Sequence, residues 1–292
     1  MVESVNRLRH HSFQGPPFLI VLVLFRYMIP SRKVRGVDLF FNDKGRGSNL
    51  VFLHGFPMDS RMWDAEVAEF SGRFRVIAPD LRGFGQSHAV DPFTIESLAE
   101  DIHELLNQIG ALPCVLAGLS MGGYVALAYV GKYPADLRGL VLVDTKSEGD
   151  SAEQKEGRQK MISLVREQGA KAVAEQMLPK MLADETPRRR PAVTQTLRTI
   201  MEACPSKTIE NALAAMRDRP DRTPILPSIS TPTLIVVGDA DAITPVSVAQ
   251  SMQRQIPHAQ LAVITGAGHM SPMEQPTQVN QALSRFLEGL GS

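Results

Sequence analysis

Gly118-Leu119-Ser120-Met121-Gly122-Gly123 carries the residue types of a nucleophile held in a tight turn. The apolar run Cys114-Val115-Leu116-Ala117 precedes it, and Tyr124-Val125-Ala126-Leu127-Ala128-Tyr129 reads as a helix after it. A strand, a Gly-x-Ser-x-Gly turn and a helix form a nucleophile elbow, which presents the serine hydroxyl at the end of a strand. Gly118 and Gly122 omit side chains that would collide in so sharp a turn. The N–H of Met121, at the helix start, is placed to face a developing negative charge. The string alone is a weak signal; the flanking strand and helix make it specific.

A serine hydroxyl is a poor nucleophile at neutral pH and needs a base that is itself oriented by a carboxylate. His269 lies in the glycine-rich loop Gly266-Ala267-Gly268-His269, after the apolar run Gln260–Ile264. Asp241 is the expected acid, in the loop that follows the run Thr233–Val237, with Asp239 and Asp144 as competing candidates. The order Ser, Asp, His is the one that goes with this type of elbow. His54-Gly55-Phe56-Pro57 follows the run Asn49–Leu53, and Gly55 is expected to allow an unusual backbone path. That path would turn the Phe56 N–H toward Ser120 as a second oxyanion donor, beside that of Met121. His54 is expected to brace this loop, and Asp80 and Arg82 to pair or to brace the loop from Asp80 to Ser87.

Behind these residues the apolar runs are continuous and alternate with helical stretches. Strands are expected at 37–43, 49–53, 73–78, 114–117, 140–143, 231–237 and 260–264. Runs without polar alternation indicate a mostly parallel sheet covered by helices on both faces, so the fold class is a doubly wound α/β sheet. Ligands of such sheets bind at the carboxyl ends of the strands, where all the candidate residues fall. Thr94 is suited to cap a helix with Ile95, Leu98, Ile102, Leu105, Leu106 and Ile109 on one stripe. Strand signals vanish over 147–222, where helices are expected at 151–168, 170–182, 191–202 and 207–217. This segment reads as an inserted helical cap, and 34–146 with 223–292 as the core. Its methionines Met161, Met177, Met181, Met201 and Met216 are candidates for an adaptable apolar pocket, although packing is the ordinary role of most.

Residues 1–33 read as an N-terminal extension. A basic start and a short apolar run resemble a targeting signal without its cleavage site, and a translation start at Met28 or a disordered or packed extension are the alternatives. The apolar run is too short to span a bilayer, so no stable membrane insertion is expected. Of 292 residues, 31 are Lys or Arg and 31 Asp or Glu; the balanced charge gives no basic face for nucleic acid. Two cysteines, Cys114 and Cys204, do not make a disulfide scaffold, which fits a reducing, cytoplasmic location. No Cys/His spacing suits a metal, and the chemistry requires no cofactor.

With these motifs in hand, the chain resembles the α/β-hydrolase superfamily, in its cap-bearing branch of esterases, lactonases, cofactor-free haloperoxidases and carbon–carbon bond hydrolases. The resemblance rests on His54–Pro57, Asp80–Ser87, Gly118–Gly123, Gly238–Asp241 and Gly268-His269, and runs from about residue 34 to the end. It implies a serine hydrolase acting with water on a small-molecule ester or lactone through Ser120, Asp241 and His269. Ser120, where dehalogenases and epoxide hydrolases of this superfamily carry an Asp, argues against both. A catalytically silent ligand receptor is the reading from another class. The motifs specify the machinery far better than the substrate.

Overall fold

Leu50, Val51, Phe52 and Leu53 are all buried, as are Leu116, Ala117 and Leu119 and Leu140 through Val143. Strands without an exposed side belong in the middle of a sheet with both faces covered. The computed structural model, which describes residues 30–291, builds that sheet. Its strands are β1 (Ser31–Val34), β2 (Val37–Lys44), β3 (Asn49–Leu53), β4 (Arg75–Pro79), β5 (Cys114–Leu119), β6 (Leu137–Val143), β7 (Thr233–Gly238) and β8 (Gln260–Ile264). They lie in the order β1-β2-β4-β3-β5-β6-β7-β8. The β1–β2 and β2–β4 pairs are antiparallel and the others parallel.

Register brings the chemistry to one edge. Gly118 of β5 is level with Leu53 of β3 and Leu142 of β6, and Gly238 of β7 with Ile264 of β8. The loops that begin at His54, Ser120, Asp144, Asp239 and Thr265 therefore leave the same carboxyl edge of the sheet.

Helices α1 (Asp64–Phe70), α2 (Ile95–Gln108) and α3 (Met121–Lys132) connect the first strands, and α8 (Val246–Gln255), α9 (Ser271–Glu274) and α10 (Pro276–Gly289) accompany the last. Helices α2, α3 and α8 pack on one face and α1 and α10 on the other. The α2 stripe is buried at Ile95, Leu98, Ile102, Leu105 and Leu106, each contributing about 1.5–3 kcal/mol by removal from water. The Thr94 hydroxyl accepts the Ser97 N–H and caps that helix as expected. Trp63 is fully buried, its ring 4.8 Å from that of Phe52.

Between β6 and β7 the described residues form α4 (Ala152–Met181), α5 (Thr186–Arg189), α6 (Pro191–Ala203) and α7 (Ser206–Asp218), with no strand. Gly169 breaks α4 with φ 77° and ψ −176°, so the stretch is two helices joined at the expected glycine.

One boundary needs correction. The extension expected over 1–33 ends too late, because Ser31, Arg32 and Lys33 pair with Phe40, Leu39 and Asp38 in β1–β2. An edge strand needs only one buried side, and the polar Ser-Arg-Lys sequence gives no apolar run to read. The possibilities raised for the preceding residues concern 1–29, which lie outside the described residues.

Candidate active site

Ser120 joins β5 to α3 with φ 51° and ψ −110°, a strained conformation for a residue with a side chain. Its neighbours explain the glycines. A Cβ on Gly118 would stand 2.2 Å from the Gly122 carbonyl oxygen, and one on Gly122 2.3 Å from that of Leu53. The Thr145 hydroxyl donates to the Ser120 carbonyl at 2.8 Å and holds the turn from the β6 side.

His269 Nε2 lies 2.9 Å from Ser120 Oγ, and His269 Nδ1 lies 2.8 Å from Asp241 Oδ2. Asp241 and His269 are buried, whereas Ser120 keeps partial access to solvent. Asp241 Oδ1 accepts the N–H groups of Ile243 and Thr244 at 2.8 and 2.9 Å, and Oδ2 accepts the Thr244 hydroxyl at 2.6 Å. The carboxylate is thus fixed in rotation before it meets the imidazole. With Nδ1–H donated to Asp241, the Nε2 lone pair is left facing the serine proton.

Burial works against charge on His269, but the Asp241 charge and hydrogen bond outweigh it, with help from Asp144 and Glu274, and the pKa is raised. Burial likewise opposes ionisation of Asp241, and the His269 charge, its hydrogen bond and Thr244 outweigh it, so this carboxyl is lowered. Both shifts favour an imidazolium–carboxylate pair, the state a base reaches on taking a proton.

The competing acids take other places. Asp239 accepts the Gly266 N–H at 2.8 Å and ties the β7 loop to the β8 loop. Asp144 is fully buried, with φ 43°, and accepts the Gly238 N–H at 2.9 Å and the Ser271 hydroxyl at 2.6 Å. Burial, with the Asp241 charge adding to it, pushes the Asp144 carboxyl up to about 7.

Met121 N–H and Phe56 N–H have no hydrogen-bond partner among the described residues. Met121 begins α3, so its N–H has no intrahelical acceptor. The expected role of Gly55 changes. Its φ is not in the left-handed region; instead a Cβ there would come within 2.7 Å of the Leu119 side chain. Close packing, rather than backbone freedom, demands the glycine. His54 braces this loop: Nε2 accepts the Leu81 N–H at 3.0 Å, which puts the proton on Nδ1, 2.9 Å from the Gly55 carbonyl. Burial lowers the His54 pKa and keeps the ring neutral. Asp80 and Arg82 do not pair with each other. Asp80 accepts the Ser60 and Gln86 N–H groups, each at 2.9 Å, and Arg82 makes a two-pronged bond to Asp101 at 2.6 and 2.7 Å.

Sequence reasoning missed Glu274, which is fully buried. Its Oε1 accepts the Gly268 N–H at 2.8 Å, and its Oε2 the Ala183 N–H at 2.8 Å and the Thr186 hydroxyl at 2.5 Å. One carboxylate therefore joins the His269 loop to the inserted helices. Thr244 was also missed, although an Asp three residues before a Thr is a turn signal.

A cavity of about 290 Å³ is lined by Phe56, Tyr124, Met161, Met177, Leu213 and Thr244 among others, and Thr244, whose hydroxyl bonds Asp241, connects it to the three residues. Two of the five candidate methionines line it; Met181, Met201 and Met216 are buried in packing. Among the described residues no cluster of three His, Cys, Asp or Glu side chains could hold a metal, and no helix is long and apolar enough to cross a membrane.

The model of the alpha/beta hydrolase family matches residues 50–282, and the chain belongs to that family. It is 31% identical over 261 residues to the AB hydrolase superfamily protein YisY of Bacillus subtilis, covering 86% of this chain and 95% of that protein. It is 28% identical over 263 residues to 3-oxoadipate enol-lactonase 1 of Acinetobacter baylyi, covering 90% and 97%. A thermophilic esterase from Thermogutta terrifontis, solved with malate bound, superposes with a TM-score of 0.86 at 41% identity, over 90% of this chain and 99% of that one. Family and relatives together support hydrolase activity.

Proposed function

We propose that the protein is a serine hydrolase that cleaves a small-molecule carboxylic ester through an acyl-enzyme. Ser120 is the nucleophile, His269 the base and Asp241 the acid that orients it. The observation that carries this reading is the continuous Asp241–His269–Ser120 chain, at 2.8 and 2.9 Å, ending on a strained and accessible hydroxyl. His269 takes the Ser120 proton as Oγ bonds to the acyl carbon. The N–H groups of Phe56 and Met121 receive the oxyanion, an arrangement in which one donor is typically worth ~100–1,000-fold in rate. His269 gives the proton to the leaving alcohol, then takes one from water as its oxygen attacks the acyl carbon, and returns that proton to Ser120 Oγ as the acid product departs. No step calls for a cofactor.

Residues 147–222 form the cap over this site, as the Glu274 bridge and the Met161 and Met177 lining suggest. The two free, buried cysteines support a cytoplasmic location. A second reading, enol-lactone hydrolysis by the same residues, is favoured by the lactonase relative. Hydrolysis of p-nitrophenyl esters of increasing chain length, with Ser120→Ala beside the wild type, tests the proposal. Repeated turnover lost in Ser120→Ala supports it; turnover that survives Ser120→Ala refutes it.

A further inference from the structure

The cavity lined by Phe56 and Thr244 has one wall unlike the rest. Phe56, Tyr124, Met161, Met177 and Leu213 make it apolar, but Lys146, Arg158 and Lys180 also line it. Asp150 serves as the common partner of three cations. Its Oδ2 lies 2.9 Å from Arg158 Nε, and its Oδ1 lies 2.9 Å from Arg219 Nη1 and 3.4 Å from Lys146 Nζ. These side chains are largely buried: Lys146 is 12%, Arg158 22% and Arg219 3% exposed, and Asp150 only 1%.

Three positive charges share one carboxylate, which leaves an excess of two. Among the described residues no other acid lies within ion-pair distance of these three. Glu148, next in the loop, gives Arg219 only its main-chain carbonyl, at 2.8 Å. Arg219 is satisfied further by the Met216 carbonyl at 2.6 Å and by the Tyr124 ring beneath it at 3.9 Å, so it belongs to the frame. Lys146 and Arg158 are less complete. Among the described residues, Lys146 Nζ adds only Gln154, at 2.8 Å, and Arg158 spends only Nε, leaving both terminal nitrogens without a partner there. Lys180, on the same wall, has no ion-pair partner among the described residues. Incompletely paired cations out of bulk water, here Lys146 and Arg158, are costly, and an anion in the cavity would relieve that cost; Lys180 is exposed and adds only its charge. The planar fork of an arginine fits a carboxylate.

We infer that Lys146, Arg158 and Lys180 form a carboxylate subsite, so that the substrate is an ester bearing a second, ionised carboxyl group on an aliphatic chain. The apolar wall takes the chain, and the cations take its far end. This rests on the serine-hydrolase reading for its chemistry, though not for its binding.

The test has two arms. Monoethyl glutarate and its neutral isostere ethyl 5-methylhexanoate are compared by pH-stat on the wild type, Arg158→Gln and Lys180→Gln. The expected ratio of kcat/KM, anionic over neutral, is tenfold or more; it falls at least fivefold in each variant and declines as salt rises. Lys180 is exposed, which keeps one variant clear of the packed Asp150 cluster. A wild-type ratio at or below one overturns the subsite. In the second arm, calorimetry measures glutarate and inorganic phosphate binding to Ser120→Ala protein. Glutarate binding that weakens in Ser120→Ala/Lys180→Gln supports the subsite even if neither ester turns over, and then only the hydrolase reading fails. No glutarate binding, or phosphate bound more tightly than glutarate, overturns it.

Discussion

Asp241→Asn puts the assignment of the acid to a direct test. The substitution keeps size and shape and removes one charge, so its effect can be followed atom by atom. Asp241 Oδ1 accepts two main-chain N–H groups, from Ile243 and Thr244. Those donors are fixed, and an asparagine must turn its carbonyl oxygen toward them or leave both unsatisfied, at about 1–3 kcal/mol each. Its amide NH2 is then forced to the Oδ2 position, 2.8 Å from His269 Nδ1. An amide donor facing Nδ1 selects the tautomer with the proton on Nε2. That proton points at Ser120 Oγ, 2.9 Å away, where a lone pair is needed. A wrong tautomer in the same geometry costs about 10⁴-fold in kcat. At ~1.36 kcal/mol per decade that is about 5.4 kcal/mol of barrier. The assay is kcat on a p-nitrophenyl ester at pH 8, with thermal melting to confirm folding. Asp144→Asn is the control, since that carboxyl bonds Gly238 and Ser271 and not the imidazole. A folded Asp241→Asn within tenfold of the wild type would refute the reasoning. A larger loss in Asp144→Asn would move the acid to the end of β6.

Three further outcomes are expected. Ser120→Gly removes both the nucleophile and the φ 51° strain, so it should melt higher than Ser120→Ala, by about 1 kcal/mol of stability, while neither variant turns over ester; equal melting would show that the turn stores no strain. Because His269 must be neutral to accept a proton and its pKa is raised, kcat/KM should fall as pH drops through a value above the ordinary 6.5 of histidine, and Asp144→Asn, which takes away one of the charges that raise it, should move that limb to lower pH; a limb at or below 6.5 in the wild type contradicts the assignment. Glu274→Gln must turn an amide donor toward one of its donor pairs, for example Ala183 N–H and the Thr186 hydroxyl, so stability should fall by about 1–3 kcal/mol and kcat with it as the His269 loop loosens; calorimetric melting and steady-state kinetics on the same sample check both.

How much of this could be read from the chain alone differs between fold and site. Buried parallel strands announce themselves, because both faces need apolar residues and the run is unbroken: Asn49–Leu53 has the bounds the sequence predicts, and so does the partly exposed edge strand Gln260–Ile264, whose run is also apolar. Gly169 and Pro205 likewise mark where inserted helices stop, since backbone limits act within a few residues. Strand β1 is different. Ser31-Arg32-Lys33-Val34 has one inward side chain, and only its pairing with β2 makes it a strand. The same division runs through the glycines. Gly118 and Gly122 belong to a local turn and are legible, whereas Gly55 is required by Leu119, more than sixty positions away, and its reason was misread.

The site follows that rule further. Ser120, Asp241 and His269 are visible because each sits just past a strand in a loop with its own pattern, and the sheet register does the rest of the positioning. Glu274 has no such pattern. It is a buried carboxylate whose donors come from the β8 loop and from residues 183–186, ninety positions earlier, and nothing around it in the sequence marks either set. A group of this kind couples two parts of the molecule that the sequence treats as independent. Gly268 closes the same contact from the other side, where a Cβ would stand 2.5 Å from the Ala183 nitrogen. The base loop and the start of α5 therefore cannot move apart without breaking hydrogen bonds to a buried charge, each worth about 1.5–3 kcal/mol. That anchors one end of the inserted helices to the loop that carries His269. The other end, where Lys146, Asp150 and Arg158 meet, is held by ion pairs at the cavity wall, which a bound anion would tighten.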